Sequence, residues 1–561
     1  MKFLCVFAVL CSLAVPGMAV DREAFTFTHY DLMVSLDPAL QRLGVRGTIT
    51  LRNDSEVAQQ NLSLQISSSL TWRSIQLDHA PLEFTPQSYT SDIDHTGSLS
   101  EAIVTLPKAV PPKGVLKLTI GYEGTIPIDA TRLIRIGVLE KAAKDTDWDR
   151  ISNEFTAVRG IGYVTWYPIA ADAANLSEVN SVSAVIDRWK NRHTDSSMRV
   201  AFDVASQHLF FSGVQRSDPD QLANVAYDIP HFGMNVPVFA VGDYKTMSAK
   251  NESSVNYFPG SEDAARDYIN FFDKLKLPLV RSDANLQVVQ LPDSGAAAFV
   301  SESVLLTPLN SPIPTDAMLN IVYALARQSP NSQRIWIHDG LAHYAQLSYI
   351  EQRGGRQLVM DYLNTRLPLL AEEKKTPGTV ASPAQEASGS LINSGDDPKS
   401  QVKAMWVWWM LRDICGESIV SSSMASYQQT ADKEPSYMQR IVETACKKDM
   451  EWFFDDWIYR DKGLPDLHIA SVYPRKNLKE GYLTTVTVEN LGDAGAEVPV
   501  TIHDATGNFT ERVLVKAKLQ ASVRFSTTNL PDQVTVNDGS VPESDINNNT
   551  FKIESASGDA H

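Results

Sequence analysis

Ile335-Trp336-Ile337-His338-Asp339-Gly340-Leu341-Ala342 is the stretch from which the chain is read outward. Asp339 stands directly before Gly340, an N-cap position for a helix that apolar spacing carries from Gly340 to Arg353. On that reading His338 falls just ahead of the helix. His338 and His343 are separated by about 140° of helical rotation and cannot face one ion. Asp339 and His343 stand at i and i+4 and share a face, but no third ligand accompanies them.

The helical period extends to both sides, from Asp263 to about Arg460. It covers Ala264–Phe272, Asp316–Gln328, Val402–Cys415 and Tyr437–Lys447. Trp406, Trp408 and Trp409 share one of these helices and read as core rather than as a stacking platform. Glu372–Ser400, rich in Gly, Ser, Pro and Ala, reads as a flexible insertion. Upstream, from Phe25 to about Tyr244, apolar and polar residues alternate, as in Tyr30–Leu36, Gly47–Arg52, Leu116–Ile120 and Arg199–Val204. That is the pattern of half-buried antiparallel strands, a β-saddle or sandwich. Alternation returns from Leu467 to Ile553, for instance in Thr484–Asn490, and suggests a small β-sandwich. The expected fold class is therefore multidomain α+β: residues 20–245 an N-terminal antiparallel β-saddle, 246–465 a mainly helical domain with 372–400 as its insertion, and 466–555 a C-terminal β-sandwich.

Residues 1–19 read as a signal peptide, with Lys2 ahead of an apolar run from Phe3 to Val15 and a small-x-small site at Gly17-Met18-Ala19. The expected location is secreted or periplasmic. Cys5 and Cys11 leave with that segment, and Cys415 and Cys446 remain, either bridged or as two buried thiols. With 50 Lys plus Arg against 67 Asp plus Glu, the net charge is −17. No basic block is present, which argues against a nucleic-acid partner, and no later apolar run is long enough for a membrane span. Ser294 and Ser301 lie near glycine or acid, but no G-x-S-x-G elbow accompanies them.

Several strings, in order, resemble the aminopeptidase N–like family of gluzincin metallopeptidases (membrane alanyl aminopeptidases). Tyr30-Asp31-Leu32 with Gly44-Val45-Arg46-Gly47 is similar to its opening strands, Trp166-Tyr167-Pro168 to its WYP, and Val238–Tyr244 to the strand closing its first domain. Ile335–Ala342 resembles its W-L-N-E-G-x-A motif, and Met410–Asp413 and Phe453–Trp457 resemble its late helices. The resemblance implies a thermolysin-like central domain. It also implies one zinc held by the two His of H-E-x-x-H and a Glu on the next helix, with the Glu of the motif as general base.

The chemistry departs from that pattern. No H-E-x-x-H occurs, and Asp339 stands where the family has its ligating Glu. Matching the family's L-A-H-Q to Leu325-Ala326-Arg327-Gln328 places Tyr323 and Arg327 at the His positions and Ala324 at the base. An alternative register places Asp316 and Asn320 at the ligand positions beside Asp339, with Ala317 at the base. The amine-anchoring Glu of G-x-M-E-N corresponds to Ala298, and the family's Tyr, two residues before a Lys, to Gln401 before Lys403. The implied function is an exported aminopeptidase N–like protein that has lost zinc and peptidase activity, a binding or structural pseudopeptidase with peptide or protein as partner. The alternative is an active metallopeptidase with an unusual site, with zinc as its cofactor or a hard cation on Asp316, Asn320 and Asp339. In the first register Arg327 and Asp339 are expected to form an ion pair in the former metal hole, with Tyr323 beside it.

Overall fold

The computed structural model of the chain describes residues 20–553 apart from 90–98, 127–129, 136, 162–163, 173–188, 190–191, 194, 205–207, 216–224, 278, 282, 329–331, 333, 371–388, 394–397 and 477–480. Residues 1–19, expected to be a signal segment and including Cys5 and Cys11, lie outside the described residues, as do 371–388 and 394–397 of the expected insertion.

The N-terminal third is β-structure. An eight-stranded sheet is built around Phe25–Asp37, which pairs antiparallel with Arg42–Asn53 and parallel with Ser197–Asp203. Val115–Thr125 and Leu70–Leu77 extend it. The alternation seen in sequence fills one face: Tyr30, Leu32, Val34, Val45, Ile49, Leu118, Ile120 and Tyr122 are all buried. A three-stranded sheet of Gln59–Ser67, Leu99–Val110 and Phe84–Tyr89 belongs to the same region. So does a second, of His208–Phe211, Phe239–Gly242 and Phe155–Val158.

The central zone carries more β-structure than its helical period suggests. Immediately after Tyr244 the chain enters a five-stranded sheet ordered Lys245–Ser248, Ser254–Tyr257, Gln287–Gln290, Val304–Thr307, Phe299–Ser301. Its inner pairings are parallel. Helix α1 (Glu262–Lys274) packs on this sheet through Ala265, Tyr268 and Phe272. Helices α2 (Thr315–Arg327) and α3 (Ile335–Asn364) follow, and α3 is interrupted at Gly355, whose φ of 76° only glycine adopts without strain. Helix α3 thus begins at Ile335, not at Gly340. Helix α4 (Pro398–Cys415) starts inside the stretch expected to be flexible and is buried on every side from Val402 to Leu411, the mark of a core helix. The three tryptophans of α4 are at most 1% exposed, in line with the core reading.

Helices α3 and α4 touch at Gly340. A methyl there would lie 3.0 Å from Ala404 Cβ and from Trp408 Cδ1 and Nε1. Gly340→Val is therefore expected to destabilise by about 1–3 kcal/mol through overpacking, measurable as a lower urea midpoint.

From Leu467 the chain forms two sheets. One is Leu467–Lys476, Tyr482–Asn490 and Gln520–Thr527; the other is Gly507–Val515, Ala496–Asp504, Gln533–Val536 and Thr550–Lys552. Val486, Val488, Val498, Val500 and Ile502 of these strands share one buried cluster with Trp336, Trp408 and Phe454 of the helical region. Trp457 Nε1 donates to Gly495 O at 3.0 Å, and Gly495 N to Asp456 Oδ2 at 2.8 Å, so the last helical turn is fastened to the strands.

Candidate functional site

Helices α2 and α3 run antiparallel, which three contacts along their length make plain. Arg327 meets Asp339, the Tyr323 ring lies 4.8 Å from that of His343, and Gln346 Nε2 donates to Leu319 O at 2.9 Å. The first of these is an ion pair. Arg327 Nε donates to Asp339 Oδ1 at 2.7 Å, with the side chains 14% and 4% exposed. Burial alone would raise the Asp339 carboxyl. The Arg327 charge, with His338 Nδ1 at 3.3 Å from Oδ1, instead holds it well below the usual carboxylate range. A carboxylate this deep is tolerated because a charge and hydrogen bonds compensate it.

The geometry corrects two expectations. Asp339 is not the cap of a helix starting at Gly340; it lies inside α3, a full turn from Ile335. His338 is likewise helical and only 7% exposed. The second register does not assemble a site. Met318 lies beside Tyr349 and Arg353, so Asp316, exposed in the first turn of α2, is at the opposite end of the helix pair from Asp339. Asn320 lies near Leu319 and Gln346, about two turns from Arg327.

Ala324 is fully buried in the cluster that α2 forms with the five-stranded sheet, beside Ile321, Val288 and Leu305. Ala298 is exposed, just before the short strand Phe299–Ser301. Its segment is held by Ala297 N donating to Asp145 O at 2.8 Å and by Trp148 Nε1 donating to Ala297 O at 2.9 Å. Neither alanine can accept a proton or bind an amine. Gln401, at the first turns of α4, lines a cavity of about 10 Å³ with Trp336, Asp339, Gly340, Leu391 and Ala404. That volume admits about one water and no peptide. Leu391, from the end of the stretch read as an insertion, is 2% exposed and packs with the helical core there.

Zinc fits these residues poorly. The guanidinium of Arg327 places a fixed positive charge on the one carboxylate that would bind the ion. Tyr323 and Ala324 supply no soft or imidazole donor. Among the described residues no group of three or more His, Cys, Asp or Glu is placed to hold a metal.

Sequence reasoning missed the partner of Lys403. This lysine is 4% exposed, and its Nζ donates to Asp461 Oδ1 at 2.8 Å; Lys399 reaches Oδ2 at 3.0 Å. A lysine inside the apolar run Val402–Leu411 was the available signal, because a buried ammonium demands a carboxylate.

No family model matches the chain, and no curated protein does. Among solved structures, the chain is similar to a mutant of the M1 zinc metallopeptidase from Deinococcus radiodurans, with 14% identity and a TM-score of 0.47 over 78% of this chain and 94% of that one. It is similar also to the same mutant bound to a Tyr-Ser-Ala substrate, with 13% identity and a TM-score of 0.45 over the same shares. No described helix is long and apolar enough to cross a membrane.

Proposed function

We propose that this is an exported, non-catalytic protein that keeps a metallopeptidase-like helical centre and works as a binding or structural module. The observation that carries the reading is the buried Arg327–Asp339 ion pair, which occupies the positions that the sequence resemblance aligns with two zinc ligands. Support comes from the alanines at the base and amine-anchor positions and from the closed cavity beside Gln401. A general base is worth roughly 10²–10⁴ in rate, and oxyanion and metal polarisation more, so their joint loss leaves no appreciable turnover. Binding then falls to surfaces outside that cavity, with peptide or protein as the partner class. The disulfide described below suits an oxidising compartment, in keeping with the export signal.

The test is elemental analysis of the purified mature chain together with an aminopeptidase assay on aminoacyl anilides, before and after incubation with excess zinc. The expected result is well under one zinc per chain and no turnover above buffer in either condition. About one tightly held zinc per chain, or turnover that follows zinc loading, overturns the reading.

A further inference from the structure

The three-stranded sheet of the C-terminal region turns one face away from the core. Its pairing puts Tyr473 opposite Thr485 and Thr485 opposite Arg524; in the next row stand Arg475, Leu483 and Ser526. Side chains alternate along each strand, so these six share a face, whereas Val472, Val486 and Val523 between them pack into the buried cluster on the other side. On the outer face Tyr473 is 69% exposed and Leu483 40%, and both arginines are exposed. Two apolar side chains therefore stand in water between two guanidinium groups.

The charge of this face runs against that of the chain. The sequence carries 67 acidic and 50 basic side chains, yet neither row contains an Asp or Glu. Other cations of the C-terminal strands and their loops are paired, Arg512 with Asp413 and Glu497 and Lys518 with Asp493. Arg475 and Arg524 reach no carboxylate among the described residues. The strand Leu467–Lys476 is at an edge of its sheet, but Pro474 has no N–H and guards that edge against an added strand. A partner is received on the face, not along the edge.

We infer that this face binds an acidic peptide in extended form, with carboxylates at positions i and i+4 and an apolar side chain at i+2. Charge complementarity sets the acids and spacing sets their separation. Arg475 and Arg524 are two strands and two residues apart, a diagonal of about 12 Å between backbones. In an extended chain i and i+4 are about 13 Å apart and point, with i+2, to the same side. Each carboxylate then meets one planar guanidinium, which matches it with two parallel hydrogen bonds. The apolar residue at i+2 lands on Leu483 with the Tyr473 ring beside it. Tyr and Arg are also the side chains in which interface energy concentrates. The inference rests on the reading of the chain as a binding module for peptide or protein, and it names the surface and the pattern recognised.

Fluorescence anisotropy of the full chain with a capped, fluorescein-labelled peptide containing Glu-Ser-Phe-Ser-Glu tests it. Saturable binding below about 1 mM is expected, weakening as salt is added. Arg475→Gln combined with Arg524→Gln, and separately Tyr473→Ala, should each weaken binding roughly tenfold or more. The thermal midpoint should not move, because all three side chains are exposed. A peptide of the same composition with its acids adjacent, Glu-Glu-Ser-Phe-Ser, should bind several-fold more weakly. No saturable binding, unchanged binding by the variants, or equal binding of the two peptides overturns the proposal. Tighter binding of a sulfated oligosaccharide of equal charge overturns it as well, by assigning the face to polyanions at large. Turnover that follows zinc loading would overturn the non-catalytic reading without moving this binding, and failure here leaves the result of that assay standing.

Discussion

Asp339→Ala is expected to lower folding stability by about 3–5 kcal/mol, read from the urea midpoint of the transition that unfolds the helical region. The reason is the guanidinium left behind. Arg327 is only 14% exposed in its side chain, so water replaces the lost carboxylate poorly. If the effect is that of an uncompensated charge rather than of lost packing, removing both partners should cost less than removing one. Arg327→Met combined with Asp339→Leu should recover most of the loss, as buried ion pairs exchanged for apolar groups of similar volume generally do. A large coupling in this double-mutant cycle identifies a true pair, whereas additive losses would show two separate packing defects. The pH dependence has a definite sign. The Asp339 carboxyl is held well below its ordinary value, so its contribution is fully present above about pH 4 and is lost as pH falls towards the folded-state value. Asp339→Asn should flatten that acid limb. A change below 1 kcal/mol for Asp339→Ala, with no change in acid sensitivity, would remove the pair as an organising feature of the site.

What could be read before the structure, and what could not, follows from how each segment is buried. Long strands with one wet face, such as Phe25–Asp37 and Tyr482–Asn490, announce themselves by alternation. The five-stranded sheet at the centre did not. Its strands are three or four residues long, and Val304-Leu305-Leu306-Thr307 is buried throughout, so it carries no period of two. Helix α3 begins five residues before Gly340, where the apolar spacing starts it, and Asp339 lies inside it rather than at a cap. An aspartate inside the first turns of a buried helix is legible only once Arg327 is placed across from it. That pairing followed from the register in which Arg327 and Asp339 occupy converging positions, and not from any local property of either residue. Leu391 at the cavity and Asp461 under Lys403 depend on long-range packing, for which local sequence offers at most the anomaly of a lysine in an apolar run.

Breaking the bridge between Cys415 and Cys446 is expected to be the other large perturbation. The two cysteines are joined across a separation of 31 residues, and a loop of that size costs the unfolded chain between about 3 and 4 kcal/mol of conformational freedom when closed. The native side adds a structural reason for the crosslink. Cys415 ends α4 directly before Gly416, and Cys446 ends the helix Tyr437–Cys446 directly before Lys447; both following residues have positive φ, 97° and 56°. Two helices therefore stop side by side with their chains turned away, and the bridge holds the stops together above Ile414, Met438 and Val442 of the core. Cys415→Ser with Cys446→Ser should lower the urea midpoint by an amount matching the 3–4 kcal/mol range. Dithiothreitol should bring the native protein to the same midpoint and leave the double variant unmoved. This comparison separates the crosslink from the packing of the sulfur atoms, because serine substitution alters both and reduction only the first. Two thiols titrating freely in the purified native protein, with no response to reductant, would mean that the bridge does not form. They would also withdraw the support that a stable disulfide lends to export, since such bonds persist chiefly in oxidising compartments.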